Sequence, residues 1–250
     1  MTKQFKIPII EDFKENEIIK EWKRESLSNK EIQNNKYYID KEGYLQGIDI
    51  IKYPIARLEF SNANSFKPQA IVLHRTDSST AKSTLDTWSN PNNAKVGTHF
   101  LIDKNGTIYQ CASLYKYTQH VGDIRSKTEL EKTWDIKEKA LIENIWKEKA
   151  SYGARKIKVS NYEKTKSYPN RYPINSDSIG IEVVGKYDNK AERYPNATTK
   201  QLETLEQLII VLLELFNINK TDIYAHAKIA YKDKHSTEGV SLLEYIKEKL

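Results

Sequence analysis

The sequence predicts an α/β fold, a mixed central β-sheet flanked by helices, preceded by an N-terminal extension. Three observations carry this. Short apolar runs of strand length alternate with segments of helical periodicity from about residue 66 onward. An Asn-Gly step joins two of those runs. A long apolar helix lies between two later runs, as expected when strands and helices interleave in one layered domain.

Residues 1–65 are charge-dense and weakly periodic and form the expected extension, with helix over 11–35 and a hairpin made by Tyr37–Asp40 and Tyr44–Gln46 around Lys41-Glu42-Gly43. Residues 66–250 form the main domain. Ala70–His74 reads as a buried strand, and the Ser78-Ser79-Thr80 cluster supplies N-caps for a helix with Ala81, Leu85 and Trp88 on one face, ended by Pro91. His99–Asp103 and Thr107–Cys111 flank Lys104-Asn105-Gly106 as a hairpin. A basic insertion spans about 124–175. Its first half carries Leu130, Trp134, Leu141, Ile145 and Trp146 at helical spacing, and its end, 167–173, reads as loop. Ser178–Gly185 has the apolar character of a central strand with one acid, Glu182, inside it. Thr198 and Gln201 form a capping box ahead of the helix carrying Leu202, Leu205, Leu208, Ile209, Leu212 and Phe216. Strand Asp222–His226, a loop and a closing helix over Val240–Leu250 complete the chain.

A chain of 250 residues with 38% hydrophobic content builds one substantial core. The net charge of +6 suits an anionic partner, but 34 acidic residues are interspersed with 40 basic ones, and no Arg/Lys-plus-aromatic array of a nucleic-acid reader is present. A solvated basic surface is the better reading. The single cysteine, Cys111, excludes an internal disulfide framework. The first residues lack the apolar core of a signal peptide, and no run reaches membrane-spanning length, so synthesis as a soluble cytoplasmic chain is expected.

Only five histidines occur, and their positions are chemically marked. His74 closes an apolar strand, His99 opens another, His120 precedes Val121-Gly122, and His226 ends a third strand with His235 and Glu238 just beyond. Imidazole is the commonest side-chain zinc ligand, and a catalytic zinc typically has three protein ligands. Two strand-terminal histidines with a His/Glu-bearing loop after the second are competent to build such a site. Taken singly, His74 also reads as a strand-end histidine with a satisfied hydrogen bond, and Glu182 as a solvent-facing acid. Facing a metal, Glu182 has the chemistry of a general base.

In order along the chain stand Leu73-His74-Arg75-Thr76, Gly97-Thr98-His99-Phe100-Leu101-Ile102-Asp103-Lys104-Asn105-Gly106-Thr107-Ile108-Tyr109-Gln110, His120-Val121-Gly122, Ser178-Ile179-Gly180-Ile181-Glu182 and Ala225-His226. This order resembles the zinc-dependent N-acetylmuramoyl-L-alanine amidases, the superfamily that includes the peptidoglycan recognition proteins. The resemblance covers roughly residues 66–240 and excludes 1–65 and 124–175. It implies Zn2+ as cofactor, peptidoglycan or muropeptide as substrate, and cleavage of the amide between N-acetylmuramic acid and L-alanine. It places His74 and His226 on the histidine ligands, Glu182 on the catalytic glutamate, His120 and Arg75 on the substrate side, and His99 in the scaffold. The third ligand departs from the family pattern, because no Asp or Cys falls in the expected frame of Tyr231-Lys232-Asp233-Lys234-His235-Ser236-Thr237-Glu238-Gly239. Glu238 is the first choice, with His235 and then Asp233 as rivals. Lys234, or Lys232, matches the family's catalytic lysine, which would stabilise an oxyanion. A non-catalytic muropeptide-binding module is the alternative. Among the enzymes, the motifs look most like lysin-type or delivered members, which act in the periplasm or cell wall after delivery or lysis.

Overall fold

The computed structural model describes residues 37–61, 66–231 and 237–250. The helix expected over 11–35 lies outside the described residues, as do Lys232, Asp233, Lys234 and His235.

The described residues open with the expected hairpin, β1 (Tyr38–Ile39) and β2 (Leu45–Gln46), paired antiparallel. Next, β3 (Ile50–Lys52) leaves the hairpin and pairs with a strand of the main sheet. Then come β4 (Ala70–Arg75) and helix α1 (Ala81–Ser89), whose N-cap Thr80 hydroxyl accepts from the Ser83 amide. The Asn-Gly hairpin forms as expected between β5 (Phe100–Ile102) and β6 (Ile108–Gln110). The insertion folds as α2 (Lys127–Glu131), α3 (Ile136–Lys147) and α4 (Tyr152–Lys164). After it come β7 (Ser178–Val183), α5 (Thr199–Phe216), β8 (Ile223–Ala225), the single-turn α6 (His226–Ile229) and α7 (Val240–Lys249).

The main sheet has the order β3-β6-β5-β7-β4-β8 and is mixed, with only the β5–β6 pair antiparallel. Strands β4 and β7 are neighbouring interior strands, parallel and in register from Ala70↔Ser178 to Arg75↔Val183. A strand covered on both faces needs apolar side chains on both, which is why Ala70–Leu73 and Ile179–Val183 are such dense apolar runs. On one face Ile71, Leu73, Ile179 and Ile181 join Leu205, Leu208 and Leu212 of α5 and Leu242 and Ile246 of α7 in the largest core cluster. Each such fully buried side chain contributes about 1.5–3 kcal/mol. On the other face Val72 meets Val121, Ile124 and Ile229, while Leu85 and Trp88 of α1 meet Leu101 and Cys111. The capping box of α5 is present in both directions, with the Gln201 amide donating to the Thr198 hydroxyl and the Thr198 amide to Gln201 Oε1.

One expectation needs correction. The stretch before residue 66 is more than an extension packed on the domain: β3 is an edge strand of the main sheet, and Ile55 and Leu58 are buried with Leu101. The insertion also contains a helix that the sequence did not reveal, α4, while its end at 167–173 is loop as expected. That helix buries only Val159, Ser160 and Glu163, so it has no apolar periodicity to read. Its Ser160 hydroxyl accepts from the Ile124 amide at 3.0 Å, and Lys166 bonds the buried Glu163 at 2.6 Å. The insertion keeps a small core of its own around Ile142, Ile145 and Val159.

Candidate active site

Strands β7, β4 and β8 are parallel neighbours, so their carboxyl ends lie side by side. Open parallel sheets place ligands at those ends. His74 is the fifth residue of β4, Glu182 is paired with it on β7, and His226 follows directly on β8 as the first residue of α6. Paired residues on neighbouring strands point to the same face. His74 and Glu182 therefore share the face of Val72 and Gly180, opposite the α5 core.

Glu238 completes the group from the turn before α7. The backbone there is fixed by Gly239, whose φ of +77° suits glycine and whose Cα packs so closely that an added Cβ would lie 2.2 Å from the Leu73 carbonyl oxygen. The Ala227 amide donates to the Glu238 carbonyl at 3.1 Å, tying this turn to α6. Glu238 Oε1 consequently stands 3.1 Å from His74 Nδ1 and 3.2 Å from His226 Nδ1. All three side chains are buried, Glu238 with only 1% of its surface exposed. One donor atom from each lies within 4.8 Å of the others, the arrangement of a group that could hold a metal ion.

The donor set fits zinc. Two imidazole nitrogens and one carboxylate oxygen form a known catalytic ligand set, and zinc bonds of about 2.0–2.1 Å in a tetrahedron separate neighbouring ligand atoms by roughly 3.3 Å. The 3.1 and 3.2 Å spacings around Glu238 Oε1 match that edge. Electrostatics agree with a site for positive charge. Burial pushes the Glu238 carboxyl up, but the adjoining His226 and His74 rings outweigh it and hold it well below the usual carboxylate range.

The remaining sequence candidates separate. Glu182 is half-buried and opens into a groove of about 340 Å³ lined also by Thr76, Asp77, Thr84, Trp88 and Lys186. His99 is fully buried, stacks on Phe66 at 5.4 Å between centroids and reaches the Lys116 carbonyl through Nε2 at 3.0 Å, a scaffold position. Burial pushes its pKa down to about 4, with the Lys116 carbonyl opposing. His120 is 7% exposed and meets His74 rather than the groove, Nδ1 to Nε2 at 3.0 Å. Burial first, then the neighbouring histidines, push its pKa well down. Arg75, expected on the substrate side, is 3% exposed and follows His74 by one residue, so strand alternation turns it to the opposite face. There its Nη2 donates to the carbonyls of Val184 and Pro195 at 3.3 and 3.2 Å.

A model of the family described as N-acetylmuramoyl-L-alanine amidase matches residues 64–239, more than half of the chain. The chain belongs to this amidase family. It is a peptidoglycan hydrolase, cleaving the amide that the family's name states. Among solved structures, a selenomethionine AmpD derivative is similar at 17% identity with a TM-score of 0.53, covering 84% of this chain and 98% of that one. A mutant endolysin from Bacillus subtilis has 19% identity and a TM-score of 0.47 over 80% and 99% of the two chains. The amidase LysC from Clostridium intestinale has 18% identity and a TM-score of 0.44 over 81% and 97%. The first of these shows the shared fold. Among curated proteins none matches. In this amidase no helix among the described residues is long and apolar enough to cross a membrane.

Sequence reasoning missed two parts of the candidate site. His226 Nε2 donates to the backbone carbonyl of Val121 at 2.8 Å, and Asn175 Oδ1 accepts from the amides of both His120 and Val121, at 2.9 and 2.8 Å. A backbone carbonyl carries no signal in a sequence, and Asn175 sits at the end of the insertion, outside the motifs that carry the resemblance.

Proposed function

We propose that this amidase is zinc-dependent and that His74, His226 and Glu238 hold the metal. The observation that carries the reading is the convergence of the two Nδ1 atoms on Glu238 Oε1 at tetrahedral-edge spacing. A zinc ion held there supplies Lewis-acid polarisation of the scissile carbonyl and acidifies the attacking water. Glu182, on the same face and open to the groove, takes the proton of that water and returns it to the leaving L-alanine amine. Lys234, outside the described residues, is assigned from the family resemblance to stabilise the tetrahedral oxyanion. Arg75 serves the fold, tethering the segment that follows Glu182 through the Val184 and Pro195 carbonyls.

The substrate is the peptidoglycan stem, with the cell wall or periplasm, reached by delivery or lysis, as the place of action. The net charge of +6 assists approach to an anionic wall. The complete donor set argues against the binding-only alternative. The test is metal content measured beside release of free stem peptide from purified peptidoglycan. One zinc per chain with chelator-sensitive release is expected. Release that survives complete removal of metal would overturn the zinc mechanism.

A further inference from the structure

We infer that His120, anchored by Asn175, is a positioning residue that fixes the tautomer and orientation of the metal ligand His74, while the adjoining Val121 carbonyl does the same for His226. This rests on the zinc reading above. It moves His120 from the substrate side of the site to the back of the metal centre.

Hydrogen-bond polarity fixes both tautomers. A carbonyl oxygen only accepts, so the Val121 carbonyl 2.8 Å from His226 Nε2 assigns the proton to Nε2 and leaves Nδ1 with its lone pair toward the metal position. For His74 the partner is another imidazole, and its polarity is set one bond further back. His120 Nε2 faces the Ser178 carbonyl at 3.4 Å and the Ser178 hydroxyl at 3.3 Å, and that hydroxyl donates onward to the Ile174 carbonyl at 2.7 Å. Both Ser178 oxygens therefore accept, and the His120 proton belongs on Nε2. His120 Nδ1 is then the acceptor, so His74 Nε2, 3.0 Å away, must donate. The His74 proton is fixed on Nε2, and its Nδ1 lone pair is presented beside Glu238. Metal-bound histidines typically donate their other N–H to an oriented acceptor, and losing that acceptor commonly weakens metal binding by about 10- to 100-fold.

The surroundings are built for this ring. An added Cβ at Gly180 would lie 2.9 Å from both Cγ and Nδ1 of His120, so only glycine in the middle of β7 lets the imidazole lie against the strand. The Asn175 carboxamide oxygen gathers the two successive amides of His120 and Val121, holding the segment that serves both ligands. The insertion thus ends in a residue that reaches the metal centre through two hydrogen bonds.

The experiment is competition for zinc between the protein and a chromophoric chelator. His120→Leu removes the acceptor, and a 10- to 100-fold loss of zinc affinity is expected. His120→Asn places its Oδ1 where Nδ1 stood, keeps the acceptor, and should stay within a few-fold of the parent. Asn175→Ala should lose affinity by about 10-fold, the low end of that range, and Asn175→Asp, which still accepts both amides, should restore it. Parent-like affinity in His120→Leu, with a raised KM on muropeptide, would return His120 to the substrate groove and overturn the inference. Should His120→Leu fail to fold, nitrogen NMR of the zinc-loaded parent decides: a proton on His120 Nδ1 overturns the assignment, and one on Nε2 upholds it. A parent protein that binds no zinc overturns the metal reading itself, a result distinct from either.

Discussion

Replacing Glu238 by alanine should abolish tight zinc binding, and its size can be worked from the site. Structural zinc centres gain about 10–16 kcal/mol on binding, or roughly 2.5–4 kcal/mol for each of four coordination positions. At 1.4 kcal/mol per decade, one lost ligand costs on the order of 10²- to 10³-fold in affinity. Water does not replace it well, because Glu238 is 1% exposed and its Oε1 is the atom that stands between the two Nδ1 atoms. The effect is visible in stability as well. At a free zinc concentration 100 times the parent's Kd, binding stabilises the parent by about 2.7 kcal/mol, and a 100-fold weaker variant by only about 0.4 kcal/mol. For a chain of this size that difference is roughly 5–9 °C in the zinc-induced shift of Tm. The assay is thermal unfolding with and without zinc for the parent, Glu238→Ala and His235→Ala. The parent and His235→Ala should share the shift, and Glu238→Ala should lose it. Retention of the shift in Glu238→Ala with its loss in His235→Ala would transfer the third ligand to His235 and refute the reasoning.

Three further outcomes are expected. Glu182→Gln should bind zinc like the parent and lose about 10²–10⁴-fold in kcat, since proton transfer is removed and the donor set is not; a loss of zinc in this variant would show that Glu182 is a ligand. Gly239→Ala should cost about 1–3 kcal/mol in urea unfolding from its positive φ alone, and more from the approach to the Leu73 carbonyl, with weaker zinc binding because Glu238 adjoins it. Stability should also fall in acid through His99. Its folded-state pKa is depressed to about 4 by burial, against an ordinary histidine value of 6.5, so the unfolded chain binds the proton first. The contribution is full above pH 6.5, declines as pH falls through that value, and levels off near pH 4 after losing at most about 3 kcal/mol. Urea midpoints for the parent and His99→Gln between pH 7.5 and 4 check this, and identical slopes in the two proteins would exclude His99 as the source.

What the sequence made legible follows its local physics. Strands β4, β7 and β8 were readable because buried parallel strands must be apolar on both faces, and the β5–β6 hairpin because Asn-Gly serves its tight turn. The α5 capping box needs only residues three apart. By contrast, β3 joins the sheet through a partner some 58 positions away in register, Ile50 against Ile108, and Ile51 is exposed, so nothing local marks it as part of the core sheet. Helix α4 was hidden for the opposite reason, since its buried residues are mostly polar and bond to neighbours instead of forming an apolar stripe. Arg75 follows His74 by one strand position, so alternation starts its side chain on the other face, and its contacts with the Val184 and Pro195 carbonyls appear only in the folded chain.

The same distinction explains why the candidate ligands were easier to find than the residues that hold them. Ligand identity is written in side-chain chemistry, and topology does the gathering. Three adjacent parallel strands bring residues 74, 182 and 226 to one end of the sheet, and Gly239 lets residue 238 settle over the ends of β4 and β8. Orientation is decided by acceptors such as the Val121 carbonyl, the Ser178 oxygens and Asn175 Oδ1, which any residue or many residues could offer. These acceptors become visible only once the chain is folded. His120 shows the consequence: a histidine beside a glycine step fits a substrate pocket by sequence, yet its two ring nitrogens find Ser178 on one side and His74 on the other. A ring engaged at both nitrogens and 7% exposed has no hydrogen-bonding position left to offer a glycan or a stem peptide, and its chemistry is directed at the candidate ligand His74.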